Sequence, residues 1–130
     1  MGLLLLSWSV AHATLVQVTQ TSLPIGYVNQ SEAVAPGTTY QTIQPNLTSS
    51  GYTFGYWSVG GNRLSDTDGR SITRGKTTVN VATTITAHYF LSTADTDTDG
   101  LLDWFEYRNF GNLDQNASSD SDADGFTNGQ

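Results

Sequence analysis

Asp95, Asp97, Asp99, Gly100, Asp103 and Glu106 stand at the spacing D-x-D-x-D-G-x5-E, the twelve-residue pattern of a loop wrapped around calcium. Ca2+ takes six to eight oxygens at about 2.3–2.6 Å in a flexible shell, and a chain that circles one ion turns alternate side chains inward. On this spacing Asp95, Asp97 and Asp99 are ligands at positions one, three and five. The Leu101 carbonyl binds at seven, Asp103 directly or through water at nine, and Glu106 with both oxygens at twelve. Gly100 permits the sharp turn at position six. Five carboxylates held this close repel one another unless a cation lies between them.

Twenty-five residues later Asp120, Asp122, Asp124, Gly125, the Phe126 carbonyl and Asn128 repeat positions one to nine. Position twelve falls one residue beyond Gln130, so an Asp or Glu is expected next, in a longer parent protein, and the second loop is expected to bind weakly as it stands. A solvated acidic linker also gives Asp- and Thr-rich runs. A linker does not place Gly100 and Glu106 in register, nor Leu101, Leu102, Trp104, Phe105 and Tyr107 beside the acids. Those apolar residues predict a short helix over 102 to about 109, with Gly111 suited to end it.

The chain has 130 residues, enough for one small domain and an appendage, with 12 Asp+Glu against 5 Lys+Arg and a net charge of −7. Nine of the acids lie between Asp95 and Asp124, where Arg108 is the one base, so the charge belongs to the loops. This balance excludes nucleic acid as a partner, since that affinity rests on Lys and Arg neutralising phosphates. The absence of cysteine excludes disulfides, thiolate zinc sites and thiol nucleophiles. There is no Gly-rich phosphate loop and no H-E-x-x-H. The paired carboxylates all fall inside the two loops, and His88 lies on an expected strand, so a non-enzymatic role is expected.

At the other end, the apolar run Leu3 to Val10 precedes Ala11-His12-Ala13, the small-x-small pattern of a signal-peptidase site. Residues 1–13 are therefore expected to be a signal peptide, too short to span a bilayer, and the protein to be secreted or on the cell surface. No basic residue precedes the run, which is consistent with Met1 being an internal start. From 14 to 90, short stretches rich in Thr, Val, Tyr and Ile alternate with Gly, Pro, Asn and Ser clusters, the pattern of a small β domain. Strands are expected at 15–19, 38–43, 52–59, 77–81 and 84–90, with Ile85, Ala87 and Tyr89 on one face. Trp57 breaks the alternation of Tyr52, Phe54 and Tyr56. Residues 91–94 are expected to be a linker to the loops at 95–130. The polar stretch Arg63 to Ser71 reads as a solvated surface loop.

Two resemblances accompany these patterns. Ala35-Pro36-Gly37-Thr38-Thr39-Tyr40, then Ser50-Gly51-Tyr52-Thr53-Phe54-Gly55-Tyr56-Trp57, then Thr83-Thr84-Ile85-Thr86-Ala87-His88-Tyr89-Phe90, together about 15 to 90, resemble a divergent internalin-type B repeat. That resemblance implies a small β-grasp-like module of secreted and cell-surface bacterial proteins, with adhesive or spacer roles. Residues 95 to 130 resemble thrombospondin type 3-like and EF-hand-like calcium repeats, and more distantly dockerin repeats. A strand and linker precede the first loop where an EF-hand has an entering helix, so no sensor-like opening is expected.

The sequence thus predicts a mainly β chain, a small β-grasp-like or sandwich repeat domain followed by calcium loop and short helix repeats. The expected function is a secreted, non-enzymatic structural or adhesion module in which Ca2+ stiffens the acidic segment. Its expected partners are calcium, neighbouring domains of a longer chain, and an extracellular glycan or surface protein, with no nucleic acid and no membrane span. Two alternatives stand beside it: the accessory region of a secreted polysaccharide-degrading enzyme, or a calcium-dependent docking or carbohydrate-binding module.

Overall fold

The computed structural model describes residues 13–130, so the expected signal peptide lies outside the described residues apart from Ala13. The chain runs through β1 (Val16–Leu23), β2 (Asn29–Val34), β3 (Thr38–Gln41), β4 (Thr48–Ser49), β5 (Tyr52–Val59), β6 (Asn62–Arg63), β7 (Lys76–Val79), β8 (Thr83–Leu91) and α1 (Asp103–Asn109). The fold is mainly β and sandwich-like. The larger sheet has the order β2-β1-β8-β5-β4, with β6 also paired to β5. β1 and β8 run parallel, and the other pairs are antiparallel. β3 and β7 form a separate antiparallel pair.

Alternation builds the interior. Ile85, Ala87 and Tyr89 are buried, as their spacing on β8 predicts, and join Val18, Val28, Phe54, Trp57 and Val79 in one apolar cluster. Val79 comes from the small sheet, and Tyr40 of the same sheet packs against the cluster, which therefore fills the space between the two sheets.

The broken period in β5 has a definite cause. The register against β8 slips between Phe54 and Tyr56, so Gly55 is the extra residue of a β-bulge and both Phe54 and Trp57 turn inward. A Cβ on Gly55 would come within 2.5 Å of the Phe90 ring. The Trp57 indole N–H donates to the Thr73 carbonyl at 2.9 Å, which lets the ring be fully buried.

Besides the short unexpected strands β4 and β6 and small shifts at the ends of β3 and β7, three stretches differ from the sequence expectation. β1 extends to Leu23 because Gln20 and Ser22, though polar, face inward with their bonds satisfied. Gln20 donates to the Tyr40 hydroxyl and accepts from the Ile43 N–H, each at 2.9 Å. Ser22 Oγ accepts from the N–H groups of Tyr27 and Val28. β2 is a polar strand at the sheet edge whose residues are almost all exposed, so it has no apolar face to betray it. The third is the stretch 91–94: Leu91 ends β8, the Ser92 N–H donates to the Gly51 carbonyl and Ser92 Oγ bonds Thr53 Oγ1, both at 2.8 Å.

α1 lies against β5 and β8. Tyr107 stacks on Phe90 with centroids 4.8 Å apart and meets Tyr56 at 5.9 Å. The helix therefore covers the outer face of the strands whose inner face is the core. Among the described residues no helix is long and apolar enough to cross a membrane.

Candidate metal centre

The first loop is folded by its own carboxylates. Asp95 accepts from the N–H groups of Asp99 and Gly100, both at 3.2 Å. Asp99 Oδ1 accepts from the Leu101 N–H at 2.8 Å. Thr98 and Gly100 take positive φ values of 60° and 94°, which curl the backbone around the acids. As a result Asp95, Asp97 and Asp99 each bring one carboxylate oxygen within 4.8 Å of the other two, a group that could hold a metal ion. Leu101, whose carbonyl is the expected ligand at position seven, is buried.

Asp103, the expected ligand at position nine, is buried and occupied within the chain. Its Oδ1 accepts from the Thr96 N–H at 2.8 Å and its Oδ2 from the Thr96 hydroxyl at 2.6 Å. It also opens α1, its N–H donating to the Ala94 carbonyl at 2.9 Å. Asp103 therefore ties position nine to position two, a role the spacing alone did not suggest. The signal was present, since each loop has a hydroxyl residue at position two and an Asp or Asn at nine.

Glu106, on α1, is fully buried, and neither of its oxygens has a hydrogen-bond partner. Burial raises its pKa from 4.5 to about 7, and the charges of Asp99, Asp97, Asp103 and Asp95 push in the same direction. Asp99 Oδ2 is likewise buried without a partner. Buried carboxylate oxygens normally accept hydrogen bonds, and here the charges acting on Glu106 are those of other acids, while the oxygens gathered within 4.8 Å are those of Asp95, Asp97 and Asp99. A cation among these oxygens would satisfy both the missing contacts and the repulsion. The donor set is all oxygen, which suits hard divalent ions rather than thiophilic ones. The residues present therefore fit a metal.

The second loop has the same backbone. Ala123 and Gly125 have φ values of 59° and 94°, and the Gly125 N–H donates to Asp120 at 3.0 Å, the Phe126 N–H to Asp124 at 2.9 Å. Asn128 repeats the clamp of Asp103: its Oδ1 accepts from the Ser121 N–H at 3.2 Å, while its Nδ2 donates to Ser121 Oγ at 2.9 Å. Asp120, Asp122 and Asp124 form a second group of oxygens, all on exposed residues, with Arg70 at 3.6 Å from Asp122. Unlike the first loop, this one has no buried acid facing it among the described residues. Ala117 lies between the loops: its carbonyl accepts from the Gly129 N–H at 3.0 Å, and its Cβ lies beside Gly100.

The C-terminal turn of α1 involves residues outside both motifs. The N–H groups of Phe110 and Gly111 both donate to the Glu106 carbonyl, and Gly111 takes φ +84°, as expected of the residue that ends the helix. Arg63 and Ser71, from the polar stretch read as a solvated loop, bond this turn directly. Comparison with protein-family models, curated proteins and solved structures finds no match to this chain.

Proposed function

We propose that the chain is a calcium-binding structural module of a secreted or cell-surface protein, without catalytic activity, in which the ion rigidifies the acidic C-terminal segment. The observation that carries this reading is Glu106, fully buried, with both oxygens unpartnered, in the field of Asp95, Asp97, Asp99 and Asp103. Its place at position twelve of the loop is where a calcium loop puts a carboxylate that binds with both oxygens. Among hard cations, a set made largely of protein carboxylates and a carbonyl favours calcium. Magnesium keeps several of its waters and takes only one or two carboxylates.

The ion would supply folding energy to a segment with little apolar burial of its own. An affinity of about 10⁻⁴–10⁻³ M, usual for extracellular modules, is sufficient for this role. Export is supported by the small-x-small pattern at Ala11 to Ala13.

Terbium, a calcium substitute whose luminescence is excited through a nearby indole, tests the assignment. Trp104 lies within the loop-helix segment. Terbium bound to the full chain is expected to emit on tryptophan excitation and to be displaced by calcium more readily than by magnesium. Absence of sensitised emission, or emission unaltered in Asp97→Ala and Glu106→Gln, would overturn it.

A further inference from the structure

Arg63 stands in β6, thirty-two residues ahead of Asp95, yet its guanidinium gathers the end of the helix that carries Glu106. Its Nη1 donates to the Tyr107 carbonyl at 3.2 Å, the Arg108 carbonyl at 3.3 Å and Ser71 Oγ at 2.9 Å. Its Nη2 donates to the Gly69 carbonyl. The same Arg108 carbonyl accepts from the Ser71 N–H at 2.7 Å. Gly111 leaves room for this: a Cβ there would come within 2.7 Å of Arg63 Nη2 and 2.9 Å of its Nε.

These bonds fall where the helix needs them. The last carbonyls of an α-helix have no partner within it, and a cation at that end is favourable. A helix of seven residues is too short to persist on its own, so its geometry is set by what holds its ends. A second tie runs from the Arg108 side chain to the Phe54 carbonyl, beside the bulge at Gly55. Glu106 lies one residue before the turn that these contacts fix.

We infer that Arg63 is a positioning residue for the cation site: by capping the C-terminal turn of α1 from the β domain it holds Glu106 over Asp95, Asp97 and Asp99. This rests on the calcium reading above. The link is reciprocal, because a contact through which the β domain raises affinity for the ion is one through which the ion stabilises the β domain.

The test is calcium calorimetry together with thermal unfolding followed by the β-sheet circular dichroism signal, on the full chain. Wild type is expected to bind calcium, which raises the midpoint of sheet unfolding. Arg63→Ala is expected to bind about tenfold more weakly and to lose most of that rise, and Arg63→Lys to restore part of each. Gly111→Ala, which displaces the guanidinium and also strains the left-handed residue that ends α1, is expected to weaken binding at least as much as Arg63→Ala. Val18→Ala, in the core, lowers the midpoint and leaves the affinity unchanged. Folded Arg63→Ala and Gly111→Ala variants that bind calcium as tightly as wild type would overturn the role of Arg63 and leave the site standing. Failure of wild type to bind would overturn the site and this role together. Loss of affinity in Val18→Ala equal to that in Arg63→Ala would reduce Arg63 to a general contributor to stability and overturn the positioning role.

Discussion

Asp103 holds Thr96 by two bonds, one from the backbone N–H at 2.8 Å and one from the hydroxyl at 2.6 Å. Asn128 and Ser121 hold each other in the same way in the second loop, with one bond reversed in direction because an amide nitrogen stands where a carboxylate oxygen does. Position nine thus closes the loop on position two and helps gather the three acids at positions one, three and five.

Removing one of these bonds isolates the effect. Thr96→Val leaves a buried Asp103 oxygen without its donor, which is expected to cost about 1–3 kcal/mol. Thr96→Ser keeps the donor and is expected to stay near wild type. Urea unfolding in the presence of a chelator measures both, and equal midpoints for Thr96→Val and wild type would contradict the clamp.

The bulge in β5 gives a second prediction. Gly55→Ala would drive a methyl group into the Phe90 ring, 2.5 Å away, and that ring is stacked on Tyr107 of α1. Overpacking of this kind is expected to destabilise the fold by about 1–3 kcal/mol. Because the displaced ring carries the helix, calcium affinity should fall as well, measurable by calorimetry on the folded variant.

Glu106 gives a pH dependence with a definite sign. In the metal-free chain burial and the facing carboxylates of Asp99, Asp97, Asp103 and Asp95 raise its pKa from 4.5 to about 7. The folded state then holds a proton that the unfolded state has released, so stability from this group is present below about 4.5 and lost as pH rises to about 7. The half-buried His88, whose pKa burial lowers, acts with the opposite sign in part of that range. The expected result is therefore a difference. Between pH 5 and 8 in chelator, wild type loses stability relative to Glu106→Gln, and saturating calcium removes the loss. Parallel pH profiles for the two proteins would contradict it.

The loops were legible because Asp and Gly recur in them at fixed intervals, and β5 and β8 because aromatic and β-branched residues alternate along them. Gln20 and Ser22 hid the length of β1, since a buried polar side chain looks like a loop residue until its partners, here Tyr40, Ile43, Tyr27 and Val28, are known. β2 was invisible for the opposite reason, being an edge strand with no buried face. Arg63 could not be read at all as part of the site. Its partners Tyr107 and Arg108 are backbone carbonyls more than forty residues away, and every residue offers a carbonyl, so no side-chain pattern marks the contact.

The most direct measurement is the heat of calcium binding to the full chain, with wild type and Glu106→Gln compared under the same conditions. A saturable exothermic or endothermic titration in wild type, with affinity reduced at least tenfold in Glu106→Gln, is the predicted result. No binding by wild type at millimolar calcium, or identical titrations for the two proteins, would contradict the assignment of Glu106 and the first loop as a calcium site.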